Sequence, residues 1–127
     1  MPYLHFDLPR TYDDDVKREL AAEIGRLYGE VMQARPAAVN VGFRELGPGN
    51  VLRCDTTPPS EVVVVQCEVR AGRPAEQREE FARALVALAA ERLDWPAARF
   101  VVEFTGHSGD EMYRDGSFAP DWSPPEG

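Results

Sequence analysis

The sequence has few of the residues that build disulfide frameworks, metal sites or membrane spans. Its 127 residues include two cysteines and two histidines. Two cysteines make no disulfide framework for a chain of this size, and His5 and His107 show no metal-ligand spacing. No apolar run is long enough to cross a bilayer, and no basic segment followed by an apolar core opens the chain. We therefore expect a cytoplasmic protein without a metal site.

Positive charge is also scarce. The chain carries 14 Lys and Arg against 22 Asp and Glu, a formal net charge of −8. Non-specific nucleic-acid binding needs many cations to displace counterions, so we expect no nucleic-acid partner, although a locally basic pocket stays compatible with this balance. No phosphate-binding loop, dinucleotide fingerprint or nucleophile elbow occurs. The length fits one domain, over residues 1–127, with a modest core.

The first third of the chain has the pattern of a strand, a helix and a second strand. Apolar and polar residues alternate from Tyr3 to Leu8, which predicts a half-buried strand. Apolar residues recur at spacings of three and four between Val16 and Val31, which predicts one face of a helix that Pro36 stops. Alternation returns from Val39 to Phe43. We assign these elements to a first unit at about 2–45.

The same order recurs later in the chain. Val62 to Val69 reads as a strand, Phe81 to Leu93 as the apolar face of a helix, and Phe100 to Phe104 as a further strand. The unit covers about 61–104, and a C-terminal segment over 105–127 follows it. Each unit is long enough for two parallel strands joined by a right-handed crossover.

Two such units predict one four-stranded sheet with both helices on one face. The run from Val62 to Val65 is continuously β-branched, as in a strand buried on both faces. The second face of the sheet then needs a cover, and other copies of the chain are the simplest source, so we expect an oligomer. The Gly- and Pro-rich stretch between Leu46 and Ser60 predicts a loop with a short hairpin near Val51.

Pro2 is the first candidate functional residue. Initiator methionine is usually removed before a small residue, and loss of Met1 would leave Pro2 with a free secondary amine. Ordinary α-amino groups titrate near ~7.7–8.0, and burial or nearby cations lower that pKa because both disfavour the charged form. A neutral amine can abstract a proton or attack a carbonyl. The alternative is that Pro2 is only a tolerated residue at a strand end.

The turn Arg70-Ala71-Gly72-Arg73 is the second candidate. It lies between a predicted strand and the second helix, where two guanidinium groups three residues apart can grip one carboxylate. The unpaired amides at the start of that helix also favour anions. The cations would lower the pKa of a nearby amine at Pro2. The alternative is a pair of solvated surface arginines.

These features together resemble the tautomerase superfamily, and within it the cis-3-chloroacrylic acid dehalogenase branch. The likeness extends from Pro2 to about Phe118. It implies an α+β, duplicated β-α-β fold of the MIF type, a homotrimer and no cofactor. It also implies that Pro2 is the acid/base and that two arginines bind the substrate carboxylate. The residues that carry it are Pro2 opening a strand, Asn50 after Pro48-Gly49, the turn Arg70-Ala71-Gly72-Arg73, and the run Met112…Gly116…Phe118.

The chain departs from that branch at three positions. Tyr28 stands where the dehalogenases have a histidine, and Glu103 where they have a tyrosine. Arg114, or Asp115 with a one-residue slip, stands where they have the glutamate that activates water. Arginine stays protonated and cannot deprotonate water. Glu103 could do so only if its side chain reaches the pocket.

The sequence thus predicts a cofactor-free tautomerase or isomerase of a small 2-oxo or enol carboxylic acid. Pro2, Arg70 and Arg73 are the expected catalytic residues, and Tyr28, Glu103 and Arg114 are pocket candidates. A hydratase, dehalogenase or decarboxylase of three-carbon unsaturated acids is one alternative. Another is a non-catalytic oligomeric binding protein of the same fold.

Overall fold

The computed structural model describes residues 2–125, and Met1, Glu126 and Gly127 lie outside the described residues. The expected removal of Met1, and the last two residues of the expected C-terminal segment, therefore fall on positions without a structural description. The strands are β1 (Tyr3–Leu8), β2 (Asn40–Glu45), β3 (Leu52–Arg53), β4 (Ser60–Glu61), β5 (Val63–Arg70), β6 (Phe100–His107), β7 (Tyr113–Arg114) and β8 (Ser117–Phe118). The helices are α1 (Asp14–Val31) and α2 (Ala75–Leu93), with short 3-10 turns at Pro36–Ala38, Ala97–Arg99 and Gly109–Glu111.

Four strands form one mixed sheet in the order β2-β1-β5-β6. Strands β1 and β2 are parallel, and so are β5 and β6, whereas β1 and β5 run antiparallel at the centre. Each parallel pair is joined by its helix, as a crossover between parallel strands requires. Both helices pack on one face of the sheet through a common core. The predicted α+β fold of two β-α-β units is confirmed.

The helix boundaries follow the sequence signals. α1 begins with Asp14 and Asp15 in its first turn, where carboxylates favour the positive end of the helix dipole. It ends at Val31, and Pro36 opens the next 3-10 turn. α2 follows Pro74 and ends where Asp94 takes a left-handed conformation with φ 55°.

Alternation of side chains builds the core from one face of the sheet. Leu4, Phe6 and Leu8 of β1 are fully buried, as are Val63 and Val65 of β5. Full burial of such side chains stabilises the fold by about 1.5–3 kcal/mol each. The helices add one stripe each: Leu20, Ile24 and Tyr28 from α1, and Phe81, Leu85, Ala89 and Leu93 from α2.

The second face of the sheet is polar, which differs from the sequence expectation. Val64 is only half-buried between buried Val63 and Val65, so β5 alternates and is not buried on both faces within the chain. Charged pairs cover this face: Arg44 Nε lies 2.6 Å from Asp7 Oδ1. The sequence does not reveal this alternation of burial along β5, because valine occupies both the buried and the half-buried positions.

Two small ladders complete the structure. The predicted short hairpin is present as the pairing of β3 with β4. The pairing of β7 with β8 was not predicted from the sequence, although its signal is the dipeptide Asp115-Gly116. Both residues have positive φ, 52° and 84°, as the two-residue turn of a tight hairpin demands.

Neither helix within residues 2–125 has the combination of length and apolar character that a membrane crossing needs.

Truncation of Leu85 tests the shared core. Leu85 is fully buried in α2, and Leu85→Ala is expected to lower the free energy of unfolding by about 2–5 kcal/mol through lost burial and a cavity. Chemical denaturation followed by circular dichroism measures the change. Arg83→Ala is the matched control on the same helix, since 75% of that side chain is exposed, and a change of more than about 0.5 kcal/mol there would be unexpected.

Candidate active site

A cavity of about 390 Å³ opens at the start of β1. Five of the six catalytic and pocket candidates named from the sequence line it: Pro2, Tyr28, Arg70, Arg73 and Arg114. They come from the residue before β1, from α1, from the end of β5 and the turn after it, and from the C-terminal hairpin. The order of the strands explains why these residues lie together. Because β1 and β5 pair antiparallel at the centre of the sheet, the start of β1 lies beside the end of β5. We call this cavity the Pro2 pocket.

Pro2 is buried in the pocket wall and held by its carbonyl group. The carbonyl oxygen accepts hydrogen bonds from the Asn40 backbone N–H at 3.0 Å and from Asn40 Nδ2 at 3.1 Å. Parallel pairing of β1 with β2 brings Asn40 to this place. Two donors on one acceptor fix the proline relative to the sheet, so its ring and nitrogen have a defined position in the pocket.

Arg73 is the one buried charged residue among the described residues, with 6% of its surface exposed. Its Nε donates to the carbonyl of Met32 at 2.7 Å. Its guanidinium carbon lies 5.4 Å from the centre of the Tyr28 ring and 4.8 Å from that of Trp122. Burial lowers the pKa of the Arg73 guanidinium, but arginine stays protonated in proteins. A desolvated cation therefore stands at the pocket wall.

Arg70 lies at the end of β5 and is half-buried. Its Nη1 donates to the Pro120 carbonyl at 3.0 Å, which leaves Nε and Nη2 without a partner among residues 2–125. Arg73 donates from Nε to the Met32 carbonyl at 2.7 Å and from Nη1, over a longer distance of 3.5 Å, to the Arg70 carbonyl. Each of the two arginines is thus anchored and keeps at least one nitrogen for an anion, so the pair can bind a carboxylate.

Tyr28 lies on the buried face of α1, with 1% of its surface exposed, and packs edge-on against Phe81 at 5.1 Å between ring centres. Burial raises the pKa of Tyr28 to about 12, against the opposing effect of the Arg73 charge. The phenol therefore stays protonated at neutral pH. It can donate a hydrogen bond into the pocket but cannot act there as a base.

A fourth guanidinium, that of Arg35, also lines the pocket. Arg114 reaches it from β7, where its Nε lies 3.3 Å from Asp115 Oδ2. The sequence analysis missed Arg35, which sits in the connection before Pro36 where no motif marks it. Asp115 is the one carboxylate among the described lining residues. The pocket is therefore cationic although the whole chain carries a net charge of −8.

Glu103 lies outside the Pro2 pocket of its own chain. It is exposed on β6, opposite Gln66, on the polar face of the sheet. The two histidines also lie apart from the pocket, on either side of Glu68: the Nε2 of His107 is 2.6 Å from that carboxylate and the Nε2 of His5 is 3.9 Å from it. Within residues 2–125 no group of His, Cys, Asp and Glu has the arrangement of a metal site.

The sequence and the fold of the chain were compared with those of known proteins. Residues 2–58 match the family model described as tautomerase enzyme. A member of the cis-3-chloroacrylic acid dehalogenase family is 21% identical, with a TM-score of 0.83 over 94% of this chain and 84% of that chain. Native fused 4-OT is 27% identical, with a TM-score of 0.75 over 91% of this chain and 94% of that chain. The first 57 residues after Met1 therefore match the tautomerase family, and the chain as a whole shares the fold of these proteins.

Macrophage migration inhibitory factor of Toxoplasma gondii shares the fold of this chain at 18% identity, with a TM-score of 0.75 over 92% of this chain and 99% of that chain. No curated protein sequence matches the chain significantly. The predicted resemblance to the tautomerase superfamily is thus confirmed, and the fold is shared with a member of the dehalogenase branch. The roles of individual residues stay predictions.

Buried titratable groups predict how the stability of this protein depends on pH. The pKa of Tyr28 rises from 10.0 to about 12 on burial, and burial also raises the pKa of the Cys67 thiol to about 12. Between pH 10 and 12 the unfolded chain has lost the Tyr28 proton that the native protein keeps. The free energy of unfolding should therefore fall by about 1.4 kcal/mol per pH unit from this residue.

Urea unfolding at several pH values from 9 to 12 measures this effect. Tyr28→Phe is expected to remove the Tyr28 contribution and leave a shallower slope, because Phe has no proton to lose. Tyr113→Phe changes a tyrosine that is 59% exposed and is expected to keep the wild-type slope. Identical slopes in wild type and Tyr28→Phe would contradict the burial effect.

Proposed function

We propose that the protein is a cofactor-free tautomerase or isomerase that acts on a small 2-oxo or enol carboxylic acid. The observation that carries the proposal is the presence of Pro2, Arg70 and Arg73 on the wall of one cavity. The match of residues 2–58 to the model described as tautomerase enzyme supports an enzyme. The substrate class follows from the chemistry of the lining: two anchored guanidinium groups suit a carboxylate, and the third residue suits proton transfer.

The proposed reaction moves one proton. Arg70 and Arg73 bind the substrate carboxylate, so that the enol lies against Pro2. With Met1 removed, the secondary amine of Pro2 takes the proton from the enol oxygen and returns it to the neighbouring carbon, leaving the ketone. The guanidinium charges favour the neutral form of that amine, and the protonated Tyr28 hydroxyl donates to the oxygen where negative charge develops.

Arg35 and Arg114 favour a substrate with a second anionic group. They add two cations to the lining, and the neighbouring carboxylate of Asp115 offsets one of them. Guanidinium groups bind planar carboxylates through paired hydrogen bonds. A dicarboxylate is therefore the substrate we favour, with its first carboxylate on Arg70 and Arg73.

A second candidate function is the addition of water to a three-carbon unsaturated acid. Asp115 lines the pocket with its carboxylate, and a carboxylate can deprotonate water. Glu103, the base expected from the sequence for this reaction, can serve the pocket only if another copy of the chain brings it there. Turnover of a 3-haloacrylate that Asp115→Asn abolishes would support hydration or dehalogenation; no turnover would favour the isomerase.

We also propose that the protein forms a homotrimer. One similar solved structure is described as an asymmetric trimer of fused 4-OT, and the polar face of the sheet offers an unpartnered surface for such contacts. The non-catalytic alternative keeps this assembly and lacks the chemistry. It predicts binding of carboxylates without turnover.

Replacement of Pro2 tests the proposed acid/base. Pro2→Ala is expected to lower kcat for ketonisation of an enol acid of the phenylenolpyruvate type by about 10²-fold, the scale of a general base. The loss follows from exchanging a rigid, buried secondary amine for a mobile primary one. Mass spectrometry of both proteins checks that Met1 is absent. Equal rates in two correctly processed proteins would remove Pro2 from the mechanism.

Replacement of the arginines tests the carboxylate site. Arg70→Gln and Arg73→Gln each remove charged hydrogen bonds worth about 1.5–3 kcal/mol, so kcat/KM should fall by about 10- to 100-fold. Steady-state kinetics with the same enol acid measures the loss. Arg83→Gln, an exposed arginine on α2, is the matched control. A pocket variant that behaves like the control would argue against its arginine as a ligand of the carboxylate.

A further inference from the structure

The segment that follows β8 crosses the Arg70–Arg73 turn. We call its residues 119–122 the strap. The backbone N–H of Trp122 donates to the Ala71 carbonyl at 2.8 Å, and its indole N–H donates to the Gln33 carbonyl at 3.2 Å. Asp121 accepts from the backbone N–H of Gly109 at 2.7 Å. These bonds tie the strap to the turn, to the end of α1 and to the segment after β6.

The turn has the shape that this crossing requires. Gly72 has φ 127°, a conformation that side chains disfavour, and a Cβ there would collide with the backbone of Trp122. A Cβ at Gly109 would likewise collide with the backbone of Ala119 and Pro120. Glycine therefore stands at both places where the strap lies against backbone.

The strap contacts both arginines of the proposed carboxylate site. The carbonyl of Pro120 accepts from Arg70 Nη1 at 3.0 Å. The Trp122 ring lies 4.8 Å from the Arg73 guanidinium carbon, and the Tyr28 ring lies 5.4 Å from it. Trp122 is itself 7% exposed. A cation near the centres of two aromatic rings is attracted by both, so these contacts favour one position of the Arg73 guanidinium.

We infer that Pro120 and Trp122 are positioning residues for anion binding at the Pro2 pocket. An arginine side chain has several rotatable bonds, and ordering them when a ligand binds costs affinity. Because the strap holds the side chains of Arg70 and Arg73 before a ligand binds, less ordering is needed on binding. This inference rests on the proposed carboxylate-binding role of the two arginines, and it predicts an effect on substrate binding rather than on proton transfer.

Substitution of Trp122 separates positioning from folding. Trp122→Leu is expected to raise KM for a 2-oxo or enol acid by about tenfold and to change kcat by less than about threefold, since Pro2 is untouched. Trp122→Phe keeps an aromatic face and is expected to restore most of the affinity. Trp95 provides a matched control, because the guanidinium carbon of Arg10 lies 4.2 Å from the centre of its ring. This pair does not line the Pro2 pocket. Trp95→Phe should leave KM unchanged.

A double-mutant cycle distinguishes the strap from the site it serves. In an Arg73→Gln background, Trp122→Leu is expected to change KM by less than about twofold, because the residue it positions is gone. A tenfold effect in both backgrounds would overturn the positioning role, and so would unchanged KM in the Trp122→Leu single variant. An unchanged KM in Arg73→Gln by itself would contradict the proposed role of Arg73 in carboxylate binding, and with it the positioning role of Trp122.

Fluorescence gives a readout that does not depend on turnover. The chain has two tryptophans, so Trp122 is the single indole in Trp95→Phe. Titration of that variant with pyruvate should give a saturable change in emission, because the ligand binds the guanidinium against which the indole stacks. The change should be absent after Arg73→Gln. No change in a variant that retains activity would overturn the inference.

Discussion

The structure depends most on the accommodation of one buried guanidinium group, that of Arg73. A charge removed from water is costly unless it is paired or hydrogen-bonded. Here the compensation comes from the Met32 carbonyl at the end of α1 and from the rings of Tyr28 and Trp122. These groups belong to three distant parts of the chain, so one side chain ties the first helix, the turn after β5 and the C-terminal strap together. The same packing keeps the cation beside Pro2.

Charge distribution gives the pocket its chemical character. The protein is acidic as a whole, yet four arginines line one cavity. Excess negative charge elsewhere suits an acidic surface, while the local cations select small anions and disfavour a protonated amine next to them. Partial burial strengthens each of these interactions, since fewer water molecules screen them. In the proposed reaction, the same arrangement serves both the binding of the acid and a neutral amine at Pro2.

Much of the fold was readable from local patterns. Alternation at Leu4, Phe6 and Leu8 predicted β1, and the spacing of Leu20, Ile24 and Tyr28 matches the buried stripe of α1. The patterns failed where one residue type fits two environments: the valines from 62 to 65 suggested burial on both faces, whereas Val64 is half-buried. Arg35 carried no signal, because its approach to the pocket depends on how β2 returns beside β1. The hairpin at Asp115-Gly116 had a signal in its turn residues.

The sequence by itself determined the two β-α-β units, the helix boundaries and the resemblance that singled out Pro2, Arg70 and Arg73, because these depend on residue order and local spacing. Only the tertiary structure decided which side chains meet. Antiparallel pairing of β1 with β5 brings residues about seventy positions apart to one cavity, and the strap adds Trp122 to Arg73. Parallel pairing of β5 with β6 places Glu103 opposite Gln66, four residues before Arg70 along β5, and so leaves it outside the cavity, because the register of a parallel pair fixes which residues are neighbours.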